Sequence, residues 1–566
     1  MNTDKIWIRD IAEICAAKGV RHAVISPGSR PAPLVIAFNR HPKMECVPVI
    51  DERAAAFFAL GIAQQTAIPV ALICTSGSAP LNYAPAVAEA YYQRVPLLIF
   101  TADRPDELID QRDGQTIRQR ELYRNFIRRS FHLPVAGEND DDRWYSGRMI
   151  SEAINASQHP VAGPVHVNVP LREPLYHVAE EKNYSAPKII EQINVIPSLA
   201  DDEKRKLQKQ WASFKSKMIL IGGLNKAWTP LSFGREVGVS PVGEVRLDSS
   251  TAILSESTSN FFHPGIIPCI DPVLESLPKN AQQSFKPELV VTLGGEIVSK
   301  KIKAFLRTNR PLEHWHVDAS GDHVDTFMSL TKVIGLRTID FLNVIGNAPK
   351  INSGYREKWL RVYSEAKKKR EQVLKSSSFC DLTVFNEVLQ SLPDGCNLHL
   401  GNSTPVRYAN LFEVNPTVTV NCNRGTSGID GSVSTAAGAA FINKKLTVLI
   451  TGDIGFFYDS NALWNKHLPE NLRILIINNS GGNIFRIIPG PSSLNELEEF
   501  FETKHELSAE YIAKTFSLPY YFCDDFKSLR KELKTFYQPK PQAAILEIKT
   551  PSESSAEVLI EYMNMR

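Results

Sequence analysis

Leu446-Thr-Val-Leu-Ile-Thr-Gly-Asp453 is an apolar run that ends in a carboxylate, and Leu472-Arg-Ile-Leu-Ile-Ile-Asn-Asn479-Ser-Gly-Gly482 is a second run that ends in amides and glycines. Short apolar runs bounded by turn residues are the pattern of buried strands in a parallel sheet. Two such strands ending side by side place Asp453 and Asn479 at one carboxyl edge, where open α/β sheets take their ligands. A carboxylate, an amide oxygen and a free backbone carbonyl suit a hard cation such as Mg²⁺, which usually shares its sites with phosphate. The pair therefore suggests a metal-bridged diphosphate. Taken singly, Asp453 serves equally well as the cap of a following helix, and Asn478–Gly482 as an ordinary turn.

The same alternation of strand-like and helix-like stretches runs through all 566 residues, a length that fits about three domains. The expected fold class is α/β, with three doubly wound parallel-sheet domains over residues 1–180, 195–345 and 375–566. Strands are expected at 22–26, 47–50, 70–74, 96–101 and 165–169 in the first block. The second block has candidates at 217–221, 242–247, 289–293 and 315–317, and the third at 397–400, 418–422, 447–451, 474–478 and 543–548. A polar stretch near 180–200, with Pro187 and Pro197, reads as a linker. The Lys/Arg-rich stretch 355–375 reads as a solvated helix joining blocks. The first and third blocks are alike in size and strand count but show no sequence repeat.

Bulk properties exclude several classes. With 64 basic and 62 acidic residues the net charge is +2, which gives no electrostatic footprint for nucleic acid. No apolar run approaches the ~20 residues of a membrane span. The start, Met1-Asn-Thr-Asp-Lys5, lacks the layout of a secretion signal. The eight cysteines form no C-x-x-C pair and sit largely in apolar runs, as small hydrophobes do. These features together give the expectation of a reduced, cytoplasmic protein. There is no P-loop, no H-E-x-x-H, no intact G-x-S-x-G, and no G-x-G-x-x-G after a strand.

Chemistry-bearing residues gather after the strand candidates. Ser26-Pro-Gly-Ser29-Arg30 follows the first, Thr75-Ser76-Gly77-Ser-Ala79 the third, and Asp103-Arg104-Pro105 the fourth, with Gln115 in the loop beyond. A Pro-Gly turn exposes backbone N–H groups, and Arg supplies a fork that matches carboxylates. Glu52 stands where a strand gives way to an Ala-rich helix. It is either a first-turn residue that complements the helix dipole or a buried carboxylate awaiting a ligand nitrogen. The small residues after it suggest close packing on another helix or subunit. In the third block Gly401-Asn-Ser403-Thr-Pro-Val-Arg407 and Asn423-Arg424-Gly-Thr-Ser-Gly428-Ile429-Asp-Gly-Ser432 follow successive strands. The helix entered at Ser432 offers its amino end to a diphosphate.

These strings, with Asp51-Glu-Arg-Ala-Ala-Ala56 and Asn478-Asn-Ser-Gly-Gly-Asn-Ile-Phe485, resemble the thiamine diphosphate enzymes of the decarboxylase/synthase superfamily over nearly the whole chain. Within it the chain is most similar to the synthases of menaquinone biosynthesis. Ile454 stands where the superfamily motif carries a glycine.

The resemblance implies thiamine diphosphate and Mg²⁺ or Mn²⁺ as cofactors. Asp453, Asn479 and the Gly481 carbonyl would hold the metal. Ser76, Gly77, Gly428, Gly452, Ile454, Gly482, Asn483 and Ile484 would line the cofactor. Glu52 would bond the pyrimidine nitrogen, and Ile429 would support the bent cofactor. The implied substrates are 2-oxoglutarate and isochorismate. Ser403 and Arg407 would grip the distal carboxylate of 2-oxoglutarate, while Ser29, Arg30, Arg104 and Lys300, the last in the looser match Leu293-Gly-Gly…Lys300-Lys301, would face isochorismate. Gln115 and Arg424 would contact the reacting species, and Phe485 would line the pocket. The site would form between two chains, giving a homodimer or a dimer of dimers. The rival readings are a superfamily synthase that uses pyruvate and a non-catalytic subunit that keeps the fold.

Overall fold

A computed structural model describes residues 2–135, 139–180, 184–224, 247–262 and 265–564. It contains three six-stranded sheets, each wholly parallel. In the first block the strands are β1 (His22–Ile25), β2 (Glu45–Pro48), β3 (Val70–Cys74), β4 (Leu97–Asp103), β5 (Ser130–His132) and β6 (Val165–Pro170), in the spatial order 2-1-3-4-6-5. The second block holds β7 (Lys217–Ile221), β8 (Thr251–Ser255), β9 (Ile266–Ile267), β10 (Leu289–Leu293), β11 (Glu313–Val317) and β12 (Lys332–Ile334), ordered 9-8-7-10-11-12. The third holds β13 (Asn397–Leu400), β14 (Thr419–Cys422), β15 (Thr447–Gly452), β16 (Leu472–Asn478), β17 (Tyr520–Cys523) and β18 (Ala544–Lys549), ordered 14-13-15-16-18-17.

The first and third sheets thus share one topology that no sequence repeat announces. The reason is that buried parallel strands demand only apolar, β-branched residues, so the two blocks agree in pattern without agreeing in identity. The second sheet has the order 3-2-1-4-5-6 of doubly wound nucleotide folds. Its two switch-point loops, Gly222-Gly223 and Gly294-Gly295, bond to each other through Gly295 N–H and the Gly223 carbonyl at 2.8 Å. The strands β5, β9 and β12 are only two or three residues long, and β17, though apolar, is largely half exposed, so none stands out in sequence. The strand expected at 242–247 lies almost wholly outside the described residues, and β8 was not anticipated.

The Ala-rich helix Glu52–Thr66 is buried from Ala54 to Gln64 and packs on helix Ser432–Ile442 of the same chain. The backbones meet so closely that a Cβ on Gly61 would fall 2.1 Å from the Thr435 carbonyl oxygen, and one on Gly438 would fall 1.9 Å from that of Phe58. One continuous apolar cluster runs from Val24, Leu72 and Ile99 through this seam to Leu449, Ile474 and Ile545. The second block is tied in by Arg94, which grips both carboxylate oxygens of Asp318 at 2.7 and 2.8 Å. It is also tied by Asn260, whose amide exchanges two 2.8 Å bonds with Val420 on the edge strand β14.

The stretch read as a solvated helix is helix Tyr355–Ser376, and it is only half solvated. Tyr355, Trp359, Val362, Ala366, Arg370 and Val373 form a buried stripe on it, and Trp359 is fully covered. The Lys/Arg-rich composition describes the outer face alone, and the 3–4 residue spacing of the buried set is the signal that was available. Among the described residues no helix is long and apolar enough to cross a membrane. Six cysteines are buried and two partly so, all unpaired.

Candidate active site

Strands β15 and β16 are neighbours in register, Gly452 opposite Ile477, so Asp453 and Asn479 emerge together at the carboxyl edge. Between them lies a cavity of about 240 Å³, lined by Asn402, Ser403, Ile429, Gly452, Asp453, Ile454, Asn479, Gly481, Gly482, Asn483 and Phe485 among others. Every lining residue belongs to the third block. Gly428 and Ile484 are not in its lining, although their chain neighbours Ile429, Asn483 and Phe485 are.

The polar atoms here are held from behind. Asp453 is 2% exposed; its Oδ1 accepts the Ile454 N–H at 2.7 Å and its Oδ2 the Gly481 N–H at 2.9 Å. His505 Nε2 stands 3.3 Å from the same Oδ2, while its Nδ1 accepts the Leu507 N–H. Asn479 donates its Nδ2 to Asp381, which leaves Oδ1 buried with no hydrogen-bond partner. Asn483 repeats the arrangement: Nδ2 donates to Ser552, and Oδ1 is buried and unpartnered. The Gly481 carbonyl accepts from Asn483 N–H at 3.0 Å and keeps a second lone pair. A buried amide oxygen without a donor is costly, so a carboxylate flanked by two of them is chemically suited to a hard cation.

A cationic group is carried by the helix and loop that also supply Ser403 and Ile429 to the cavity wall. Arg407 follows from helix Thr404–Ala409, which Ser403 enters at a left-handed φ of 71°. Among the described residues Arg407 has neither hydrogen-bond nor ion-pair partner. Burial first, and then the nearby Arg424 charge, hold its pKa below the ordinary guanidinium range. Arg424 is anchored instead: Nη1 donates to Asn402 Oδ1 at 3.0 Å and Nη2 pairs with Glu296 at 3.1 Å. Asn402 also donates to the carbonyls of Asn423 and Gly428, fixing the loop that carries Arg424 and Ile429. Lys300 opens its helix with an exposed side chain, and Lys301 pairs with Glu275. Lys303 is the lysine that feels Glu296, Glu256 and Arg424, and burial lowers its pKa.

The first-block candidates form a second group, at the ends of β1, β2, β3 and β4. Arg104 donates to Ser76 Oγ at 2.7 Å and to the Gln115 carbonyl at 3.3 Å, and pairs with Asp113. Gly77 packs under Gln115, a Cβ there falling 3.1 Å from the Gln115 Cα. Arg30 bonds the Leu171 carbonyl, and its Nε is buried without a partner; Ser29 beside it is exposed. Glu52 opens its helix behind the Asp51 cap, and burial, reinforced by Asp51, raises its pKa. None of these residues lines the third-block cavity.

Sequence reasoning missed Asp381, Glu89, Gln119, Glu296 and His505, each of which acts on a neighbour that sequence had marked and none of which stands in a motif. Asn402 was given no role either, although it stands in the marked stretch Gly401-Asn-Ser403.

Comparison with known proteins identifies the family. Residues 8–122 match the thiamine pyrophosphate enzyme N-terminal TPP binding domain, and residues 251–400 match the middle domain of thiamine pyrophosphate enzymes. The chain is 42% identical over 555 residues to the 2-succinyl-5-enolpyruvyl-6-hydroxy-3-cyclohexene-1-carboxylate synthase of Flavobacterium johnsoniae, covering 98% of each chain. The chain belongs to that synthase family. Its relatives of the same name from Cytophaga hutchinsonii and Bacteroides fragilis are 41% and 38% identical, over 97% and 99% of each chain. It is accordingly a thiamine diphosphate-dependent synthase.

Proposed function

We propose that this synthase decarboxylates 2-oxoglutarate and joins the remaining succinyl unit to isochorismate, giving 2-succinyl-5-enolpyruvyl-6-hydroxy-3-cyclohexene-1-carboxylate for menaquinone biosynthesis. The observation that carries the reading is Arg407, a half-buried cation with no hydrogen-bond or ion-pair partner among the described residues, on the helix that follows the cavity residues Ser403, Thr404 and Pro405. Pyruvate has no distal carboxylate for such a cation, which disfavours the pyruvate-using rival.

Asp453, the Asn479 amide oxygen and the Gly481 carbonyl would hold Mg²⁺ or Mn²⁺, an all-oxygen set of the kind these ions prefer. Gly452, Ile454, Gly482, Asn483, Ile484 and Gly428 would surround the diphosphate. Thiamine diphosphate, when bound, supplies the electron sink for decarboxylation. Glu52, whose pKa burial raises, would hold a proton between its carboxylate oxygen and the pyrimidine nitrogen. Ser76 and Gly77 would hold that ring, and Ile429 would supply apolar bulk to support the cofactor.

Ser403 and Arg407 bind the distal carboxylate of 2-oxoglutarate; Arg424, pre-aimed by Asn402, and Gln115 orient the reacting centre. Arg30, Arg104, Ser29 and Lys300 receive the carboxylates of isochorismate, and Phe485 excludes water from the cavity. Arg is suited to this work because its planar fork binds carboxylates in a bidentate manner.

Glu52 and its neighbours line no part of the third-block cavity, which supports a site completed by a second copy of the chain. Ile50 and Leu81 at the first-block edge, and Leu494 and Phe500 near the cavity, are exposed apolar side chains of the kind that mark interfaces. A homodimer or a dimer of dimers follows. The unpaired cysteines suit a reducing compartment, the cytoplasm. The test is CO₂ release from 2-oxoglutarate with thiamine diphosphate and Mg²⁺, with and without isochorismate. Release dependent on isochorismate supports the proposal, and release from pyruvate alone overturns it.

A further inference from the structure

Asp381 is fully buried, and it belongs neither to a motif read from the sequence nor to the cavity wall. It is the first residue of helix Asp381–Ser391, behind the strand end that carries Asn479. Its Oδ2 accepts Asn479 Nδ2 at 2.9 Å. Its Oδ1 accepts the hydroxyls of Thr550 at 2.6 Å and Ser555 at 3.3 Å, and its own N–H donates to Ser555 Oγ at 3.0 Å. The carboxylate is therefore fixed from two sides, with one oxygen left for Asn479.

An amide has a donor end and an acceptor end, and only a neighbour's chemistry decides which faces where. A carboxylate accepts only, so Asn479 must turn its NH₂ toward Asp381 and its oxygen away. The reversed amide would set two acceptors against each other at 2.9 Å. The oxygen that results is the buried, unpartnered Oδ1 beside Asp453. We infer that Asp381 is a positioning residue whose task is to hold the Asn479 amide with its oxygen toward the metal. The inference rests on the proposed metal site and adds to it a residue that touches neither metal nor cofactor.

Partners behind a metal ligand typically govern ~10–100-fold in metal affinity. The experiment is Mn²⁺ binding to the full-length protein in the presence of thiamine diphosphate, followed by the electron paramagnetic resonance of free Mn²⁺. Asp381→Ala and Asp381→Ser, neither long enough to reach Asn479, are expected to raise the Mn²⁺ Kd by ~10–100-fold. Serine keeps one polar group in the buried pocket, so it serves if the alanine variant does not fold. Asp381→Asn can still present an oxygen to Asn479, and its Kd is expected to stay within ~3-fold of the parent. Thr550→Val, which removes only the bond on the far oxygen, should likewise stay close to the parent.

An unchanged Kd in Asp381→Ser overturns the inference. So does an equal loss in Asp381→Asn, which would make charge the cause, or in Thr550→Val, which would make it general loosening. If the parent protein itself takes up no Mn²⁺ with thiamine diphosphate, the metal site falls and the inference with it, a result separable from all the others.

Discussion

Glu89 of the first block accepts the backbone N–H of Thr426, in the third, at 2.7 Å. The same carboxylate takes the Gly425 N–H at 2.7 Å and the Thr426 hydroxyl at 2.6 Å, and it is only 1% exposed. One buried acidic side chain thereby clamps the loop that carries Arg424 and Ile429. Glu89→Gln would set an NH₂ against an N–H, and each buried polar group left unsatisfied costs ~1–3 kcal/mol. The expected result is a fall of ~10-fold or more in kcat/KM for 2-oxoglutarate. Mn²⁺ affinity, which depends on other loops, should hold; steady-state kinetics beside metal titration checks both halves.

Glu52→Gln keeps the shape of the side chain and removes its transferable proton. Turnover should drop by at least ~10²-fold, the usual scale of positioned acid–base groups, with the fold intact by circular dichroism. Near-normal turnover would take Glu52 out of the mechanism.

Arg407→Ala removes a cation that no carboxylate contacts directly among the described residues, although Asp271, Glu256 and Glu296 act on it at longer range. KM for 2-oxoglutarate should rise steeply while thiamine diphosphate affinity changes little. A charge-assisted bond contributes ~1.5–3 kcal/mol, so a rise of ~10–100-fold is expected. Equal loss of both affinities in calorimetric titration would mean that the residue supports the fold rather than the substrate.

Asp459 is fully buried, and burial pushes its pKa to about 7, against an ordinary value of 3.8. It accepts the N–H and the hydroxyl of Ser434. A folded pKa above the unfolded one means that the native state binds the extra proton. The contribution to stability is complete below pH ~4 and is lost as pH rises through about 7. The full difference is at most ~4 kcal/mol. Asp459→Asn can satisfy Ser434 with one oxygen and one NH₂, so its melting temperature should lack this fall. Comparing the two melting temperatures between pH 4 and 8 tests the sign: a gap that does not widen in favour of the variant as pH rises would refute it.

Gly438→Ala places a methyl 1.9 Å from the Phe58 carbonyl oxygen. The backbones must separate, and the apolar seam between the first and third blocks opens. A melting-temperature loss of several degrees is expected, since ~1–3 kcal/mol is typical of overpacking. A variant as stable as the parent would mean that the two helices stand further apart.

What sequence could show followed from what local chemistry advertises. The core strands β3, β15, β16 and β18 were legible because buried parallel strands are near-continuous apolar runs. β5, β9, β12 and β17 are short or half exposed and offered no such run. Glu52, Asp453 and Asn479 were legible because each stands where a strand ends. Asp381 and Glu89 were not: each is an acid on an ordinary helix, and its meaning lies in a partner 98 or 337 residues away. The packing partner of the Ala-rich helix was open for the same reason, since small residues signal a close approach without naming the other side.

The helices that meet at Gly61 and Gly438 each follow the second strand of their own sheet, and the two sheets have the same strand order. The chain therefore contains an approximate internal dyad, with like elements in contact as they are across the axis of a two-fold dimer. On that axis a substitution alters the packing of both halves at once. At their strand ends the halves differ: one carries Glu52, Arg30 and Arg104, the other Asp453 and Asn479 with Arg407 and Arg424.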